Sequence, residues 1–124
     1  MQAATLLHTS AWLLAGAATA GALMAGLRFG RDRAPPAMLS RLHGLLAASG
    51  TALLIYGWAT AGLPRLASLA LLLIAVTAAS GLITARARRW WNPAPPVEIL
   101  LFGHMCLASM GFLLLLVSVM STSV

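Results

Sequence analysis

The sequence predicts an all-α membrane protein, a transmembrane up-down bundle of four helices built from a duplicated helical hairpin. The 124 residues are 60% apolar and only 8% charged, whereas a soluble domain has about 25% charged residues. Apolar stretches long enough for a bilayer core, which needs about 20 residues, occur four times. Short loops join them, and helices joined by short loops pack as antiparallel neighbours.

The four predicted spans belong to a single integral-membrane domain, 1–124. They cover about residues 5–27, 37–61, 66–85 and 97–119. A proline pair that ends at Pro36 precedes the second span, and a pair that ends at Pro96 precedes the fourth. Proline suits the first turn of a helix because its missing N–H would have had no partner within the helix. We therefore expect both helices to begin at their proline pairs.

The arginines predict topology. The net charge is +6, and seven of the eight arginines lie in or beside residues 28–41 and 86–89. They are not spread over a surface, so we expect no nucleic-acid partner. The positive-inside bias places both segments in the cytoplasm and both termini on the periplasmic side of a bacterial inner membrane. The single cysteine, Cys106, excludes an internal disulfide and a cysteine-based metal cage, and we expect it to pack in the core.

An internal repeat relates residues of about 8–59 to those of about 68–120. In each copy a proline pair precedes one histidine, His43 or His104, and small residues follow the histidine. The offset is 60 residues up to the prolines and 61 from the histidines onward. Repeats of two spans keep the same orientation, so we expect a pseudo-twofold axis along the membrane normal.

The two histidines are predicted at one depth in the membrane. They follow the proline pairs by seven and eight residues, which is about 10–12 Å along a helix. Spans two and four are parallel and diagonal in such a bundle, so His43 and His104 are expected to face each other across the core. Gly21 and Gly81 reach the same depth from spans one and three, and we expect them to leave room for something flat and large.

A planar haem b, one per chain, with His43 and His104 as its axial ligands fits this layer. No catalytic residue is predicted, and with both axial positions filled electron transfer is favoured over oxygen binding. We expect the other contacts from the small residues near the histidines and from arginines that neutralise the haem propionates. These residues are Gly21, Gly81, Ala47, Gly50, Ala108, Gly111, Arg28, Arg41 and Arg88.

The pattern resembles the small b-type membrane cytochromes, namely the cytochrome b561-like four-helix proteins and one half of haem A synthase. In the latter, each four-helix half carries histidines on its second and fourth spans. The resemblance rests on His43 and His104, their Ala and Gly followers and the four-span plan. Haem A synthase halves have a glutamate four residues before a histidine, where this chain has Leu39 and Leu100. The resemblance therefore implies haem ligation without oxygenase-type chemistry.

The leading hypothesis is a membrane-bound b-type cytochrome that transfers single electrons as a small subunit or partner of a larger redox complex. Its expected partners are lipid, quinol and redox-complex subunits, in a homo- or hetero-oligomer. Small-residue stripes also serve helix packing in lipid, and a transmembrane histidine can simply bond to a neighbouring helix. A cofactor-free accessory or assembly subunit, or a haem- or copper-handling membrane protein, therefore stays open. His8 has no equivalent in the repeat and is expected at the membrane interface.

Overall fold

The computed structural model describes residues 2–93 and 96–122, except for the side chain of Arg88. The regular elements in this part of the chain are α1 (Ala3–Arg31), α2 (Ala37–Ala61), α3 (Arg65–Trp90) and α4 (Val97–Thr122). All four are long and apolar enough to cross a membrane. The all-α prediction is confirmed, and the chain is an integral membrane protein in contact with a lipid bilayer.

Three helices continue beyond their predicted ends, and α4 does so only from about residue 119 to Thr122. The predicted spans stop near residues 27 and 85, whereas α1 continues to Arg31 and α3 to Trp90. Loss of hydropathy marks the edge of the bilayer, but the backbone goes on forming helical hydrogen bonds until a residue leaves the helical conformation. In α1 this residue is Asp32, at φ 47°, and the next N–H, of Arg33, donates to the Leu27 carbonyl at 3.0 Å. The N–H of Asp32 also bonds to the Leu27 carbonyl, and a residue in the left-handed conformation is a common way to end a helix.

Proline begins two of the helices, as predicted for α2. Pro36 caps α2 and Pro64 caps α3, and neither helix has a side-chain cap. Between α2 and α3 the chain turns at Gly62, whose φ of +68° only glycine adopts without strain. The Pro96 carbonyl accepts from the first turn of α4, whereas Pro95 lies outside the described residues.

The helices pair in chain order as two antiparallel hairpins. Hairpin 1 contains α1 and α2, and hairpin 2 contains α3 and α4. Each is a compact unit, with the division between Leu63 and Pro64. The pairing of helices within each half confirms the predicted hairpins. The pseudo-twofold axis stays a prediction.

Small residues bring the helices of each hairpin close together. Within lipid, helix association depends on close packing and hydrogen bonds because lipid tails are as apolar as leucine. The buried positions of α1 and α3 recur at intervals of three and four residues, as expected for a helix face that packs along a neighbour. In hairpin 1 they include Leu7, Ser10, Leu14 and Ala17, opposite Gly50, Leu54 and Gly57. In hairpin 2 they include Ala67, Ala70, Ile74 and Thr77, opposite Gly111, Leu115 and Ser118.

The same close approach recurs in both hairpins. A Cβ atom on Gly50 would lie 2.7 Å from Leu14 Cγ, and one on Gly111 would lie 3.0 Å from Ile74 Cγ1. Leu14 and Ile74 differ by 60 positions, whereas the glycines differ by 61. The extra residue lies in the first turns of α4, since six residues of α2 precede His43 and seven of α4 precede the equivalent histidine.

Candidate functional site: one anchored histidine in each hairpin

The imidazole of His43 is anchored to the backbone of α1. Its Nδ1 lies 2.8 Å from the carbonyl oxygen of Ala17, and the side chain is half-buried. A carbonyl oxygen can only accept a hydrogen bond, so Nδ1 carries the proton and donates it. In a neutral ring with a proton on Nδ1, the lone pair lies on Nε2. The fold of hairpin 1 thus sets both the orientation and the tautomer of this histidine.

His104 makes the equivalent bond in hairpin 2. Its Nδ1 lies 3.0 Å from the carbonyl oxygen of Thr77, which is 60 positions after Ala17. The hydroxyl of Ser80 is also 3.0 Å from this Nδ1 and donates to the same carbonyl at 2.8 Å. The two histidines therefore reach equivalent backbone carbonyls, but only hairpin 2 adds a hydroxyl, because the residue equivalent to Ser80 in hairpin 1 is Ala20.

A glycine makes each carbonyl accessible to its histidine. A Cβ atom on Gly81 would lie 2.8 Å from Cε1 of His104, and one on Gly21 would lie 3.2 Å from Cε1 of His43. In an α-helix the carbonyl of one residue points towards the residue four positions later, so the Thr77 carbonyl lies beside Gly81. The missing Cβ atoms leave a path from the imidazole to that carbonyl.

This arrangement changes the interpretation of the two glycines. The sequence predicted that Gly21 and Gly81 leave room for a flat cofactor, whereas the edge of the imidazole in the same hairpin takes up the space beside each of them. Their role in contact with a cofactor stays a prediction. In the structure these glycines leave the space in which the histidine ring packs against the neighbouring helix.

The small residues that follow the histidines lie at the packed faces of α2 and α4. Gly50 and Gly111 are buried, and an added Cβ atom at either would meet the neighbouring helix of its hairpin. Ala47 and Ala108 are half-buried one turn after the histidines. All four lie on the same helical face as the histidine before them, as predicted, and their contact with a cofactor stays a prediction.

The three arginines predicted to contact the haem propionates lie near the helix ends at the loop of each hairpin. Arg28 is half-buried in the last turn region of α1, and Arg41 is exposed two residues before the histidine of α2. Arg88 belongs to α3, but its side chain lies outside the described residues. The Cζ atom of Arg86 lies 5.8 Å from the centre of the Trp90 ring, close enough for a cation–π interaction. The assignment of arginines to haem propionates stays a prediction.

The predicted position of Cys106 in the core is wrong. Its free thiol is exposed. It follows His104 by two residues, which is a rotation of about 200° around the helix, so the two side chains lie on different faces. His8 is likewise exposed, near the start of α1, in agreement with a position towards one end of the helix.

The hydrogen-bond partners of the histidines have no clear signal in the amino-acid sequence. Ala17 and Thr77 contribute only backbone carbonyls, and Ser80 resembles any other small residue of a packing stripe. The glycine four residues after each carbonyl could have indicated these partners, because a helix without a Cβ atom at that position leaves the carbonyl accessible to a neighbouring side chain.

No protein-family model, curated protein or solved structure matches the chain. The interpretation of the site therefore depends on its geometry. A histidine that donates from one ring nitrogen to a backbone carbonyl presents the lone pair of the other nitrogen, and this is the usual arrangement of a metal-ligating histidine. The fold and the two histidines define a four-helix integral membrane protein with one oriented imidazole in each hairpin.

Proposed function

We propose that the chain is a membrane-bound b-type cytochrome with one haem b, which Nε2 of His43 and Nε2 of His104 would hold. It transfers single electrons as a small subunit or partner of a larger redox complex. The observation that supports the proposal is the bond from Nδ1 of each histidine to a backbone carbonyl of its own hairpin.

This bond prepares an imidazole for ligation. It fixes the ring orientation and, while the proton is on Nδ1, makes Nε2 a stronger electron donor, as outer partners do for metal-ligating histidines. Gly21 and Gly81 hold the rings against their helices, so little side-chain freedom remains to be lost on ligation. The haem, when bound, supplies the one-electron chemistry, and two histidine ligands favour electron transfer.

The membrane orientation is part of the same proposal. The arginine-rich segments at the loops of the two hairpins would lie in the cytoplasm of a bacterial cell, with both termini in the periplasm. His43 and His104 each lie seven or eight residues into their helices, about two turns from the cytoplasmic helix ends. The electron partners would be a quinol in the bilayer or subunits of a larger redox complex.

The same contacts also support a second candidate function, a cofactor-free accessory subunit. Each imidazole fills the space beside a glycine and links the two helices of its hairpin through one hydrogen bond. Such a bond between transmembrane helices contributes about 0.6–2 kcal/mol. In this alternative the histidines only join helices, and the whole chain packs against a larger membrane complex.

Substitution by asparagine separates the two functions. In His43→Asn and His104→Asn the amide Nδ2 can donate to the carbonyl of Ala17 or Thr77, but no atom replaces the lone pair of Nε2. We expect the purified wild-type protein, after reduction with dithionite, to show the absorption bands of low-spin haem b at one haem per chain. Each asparagine variant loses these bands while its apparent Tm in detergent stays close to that of the haem-free wild type.

His8→Asn is the matched control and keeps the full spectrum. Wild-type protein that contains no haem after expression with added haem precursor contradicts the cytochrome. Retention of the low-spin bands in both asparagine variants contradicts the two ligands. The accessory-subunit alternative instead predicts a haem-free protein in which His43→Ala lowers the Tm and His43→Asn restores it.

A further inference from the structure

The two anchored histidines differ at one position of the neighbouring helix. Ser80 places its hydroxyl 3.0 Å from Nδ1 of His104. The equivalent position of hairpin 1, 60 residues earlier, is Ala20, which has no hydroxyl. Nδ1 of His43 is also closer to its carbonyl, at 2.8 Å, than Nδ1 of His104 is, at 3.0 Å.

Three atoms lie within hydrogen-bond distance of one another at His104, namely its Nδ1, the Ser80 hydroxyl oxygen and the Thr77 carbonyl oxygen. Their protons can be arranged in two ways. Ser80 has one hydroxyl proton, and its oxygen lies 2.8 Å from the Thr77 carbonyl and 3.0 Å from Nδ1 of His104. In the first arrangement the hydroxyl donates to the carbonyl, and Nδ1–H is shared between the carbonyl and the hydroxyl oxygen. In the second, the hydroxyl donates to an unprotonated Nδ1 and the ring proton lies on Nε2. The Ser80 hydroxyl fits both arrangements because a hydroxyl group can donate and accept hydrogen bonds.

We propose that Ser80 allows His104 to occupy both neutral tautomers, whereas His43 is held in the Nδ1–H form, and that His104 is therefore the exchangeable ligand of the two. The part on ligand exchange rests on the proposed function. The part on tautomers concerns the protein without a cofactor and is independent of it.

The energetic reason lies in what each histidine meets when its proton moves to Nε2. At His43, the Nδ1 lone pair would then face the lone pairs of the Ala17 oxygen at 2.8 Å, and Ala20 has no proton to offer. At His104, Ser80 turns its proton to Nδ1 and replaces the lost bond. Since only Nε2 without a proton can bind a metal, the second arrangement withdraws His104 from ligation and leaves His43 unchanged.

The test is ¹⁵N NMR of the histidine rings in the full-length, haem-free protein in detergent, at a pH where the rings are neutral. The ¹⁵N shift distinguishes a nitrogen that carries a proton from one with a lone pair, and asparagine variants of the three histidines assign the signals. We expect His43 to show Nδ1–H alone and His104 to show both forms. Ser80→Ala removes the second form of His104, Ser80→Thr restores it, and Ala20→Ser creates it at His43.

A wild-type His104 that shows Nδ1–H alone, or a mixture unchanged in Ser80→Ala, overturns the inference. If the chain binds haem, reduced Ser80→Ala protein should bind carbon monoxide several-fold more slowly than wild type, because His104 leaves the iron less readily. Equal rates of carbon monoxide binding in Ser80→Ala and wild-type protein overturn the inference that His104 is the exchangeable ligand. If the chain binds no haem, the cytochrome and the exchangeable ligand both fail, while the NMR signals still decide the role of Ser80.

Discussion

Hairpin 1 and hairpin 2 share their backbone contacts but differ in their side-chain hydroxyls. Both place an imidazole against a glycine and bond it to the carbonyl four residues before that glycine. The carbonyl belongs to Ala17 in one hairpin and to Thr77 in the other, and Ser80 occurs where hairpin 1 has Ala20. Contacts that depend on glycine and the backbone thus fix the position of the ring, while hydroxyls alter its hydrogen bonding. Position and chemistry can therefore be changed separately.

The hairpins also differ in what an added Cβ atom would meet at their glycines. The space that a Cβ atom would enter is narrower at Gly81 than at Gly21, with nearest atoms at 2.8 and 3.2 Å. At the other close approach, Gly111 faces the backbone nitrogen of Ile74 at 3.3 Å as well as side-chain atoms, whereas Gly50 faces side-chain atoms of α1. The order of the nearest distances is reversed there, with 2.7 Å at Gly50 and 3.0 Å at Gly111. Hairpin 2 should therefore tolerate added volume less well at the histidine, and hairpin 1 should tolerate it less well at Gly50.

The largest expected effect is that of bulk at Gly50 and Gly111, where an added Cβ atom would meet the neighbouring helix. Gly111→Val should destabilise hairpin 2 by about 3 kcal/mol or more, because extra volume in a packed core forces a shift of the backbone. Gly50→Val should cost at least as much, because its Cβ atom would lie 2.7 Å from Cγ of the buried Leu14 and 3.3 Å from the Cβ atom of Leu13. Unfolding by SDS in mixed micelles measures both. Gly103→Val is the control, because a Cβ atom there meets nothing within 4 Å, and a Gly111 variant as stable as this control contradicts the comparison.

A smaller effect is expected where the histidines meet their glycines. Gly81→Ala should destabilise by about 1–3 kcal/mol, because the ring of His104 must move from its carbonyl. Gly21→Ala should cost less, since its added Cβ atom would lie 3.2 Å from the nearest ring atom, whereas the distance at Gly81 is 2.8 Å. The same unfolding experiment compares them, with Gly26→Ala as the control, where the added Cβ atom meets nothing and helix propensity predicts a gain of up to about 1 kcal/mol. Equal losses at the two histidine sites would contradict the difference in packing.

Each hairpin has a buried hydroxyl that finds no hydrogen-bond partner among the described residues, Ser10 in hairpin 1 and Ser118 in hairpin 2. An unsatisfied buried polar group costs about 1–3 kcal/mol, so Ser10→Ala and Ser118→Ala should each raise stability by about 1 kcal/mol. The shift of the apparent Tm measures the gain. Ser109→Ala, at an exposed hydroxyl that donates to the Met105 carbonyl, should leave the Tm unchanged. A loss of stability in both buried variants would show that these hydroxyls are satisfied.

The smallest expected effect concerns the ends of α1 and α3. α1 ends with Asp32 at φ 47°, whereas α3 ends with Trp91 in an extended conformation. Asp32→Gly should stabilise hairpin 1 by about 0.5 kcal/mol, because glycine adopts positive φ without steric cost. Arg33→Gly is the control and should give no gain, since its φ is not positive. Thermal unfolding compares the two, and equal changes would exclude strain at Asp32.

The sequence predicted the fold well because the length and hydropathy of a membrane span are properties of composition. It predicted the start of α2 from Pro36, since proline acts on the local backbone. It did not predict how far α1 continues, because Asp32 ends that helix through a backbone conformation, whereas the hydropathy falls a few residues earlier. Cys106 was misplaced for a similar reason, since its face of α4 depends on which neighbouring helix packs there.

The candidate site was predicted in part. The repeat and the helical rise of 1.5 Å per residue were enough to select His43 and His104 and to bring a glycine to the level of each. Their partners could not be predicted, because a carbonyl oxygen is the same in every residue. Ser80 was missed because a serine in a transmembrane helix usually bonds to its own helix, and it does so here as well as reaching His104.

The bond from each imidazole to a carbonyl of the same hairpin has a consequence for the ancestry of the chain. A stretch of DNA that encodes one hairpin also encodes the carbonyl, the glycine and the histidine together, so copying it in tandem yields a second anchored ring without any compensating mutation. Later drift at a neighbouring codon, such as the difference between Ala20 and Ser80, can then change one ring while the other keeps its original surroundings.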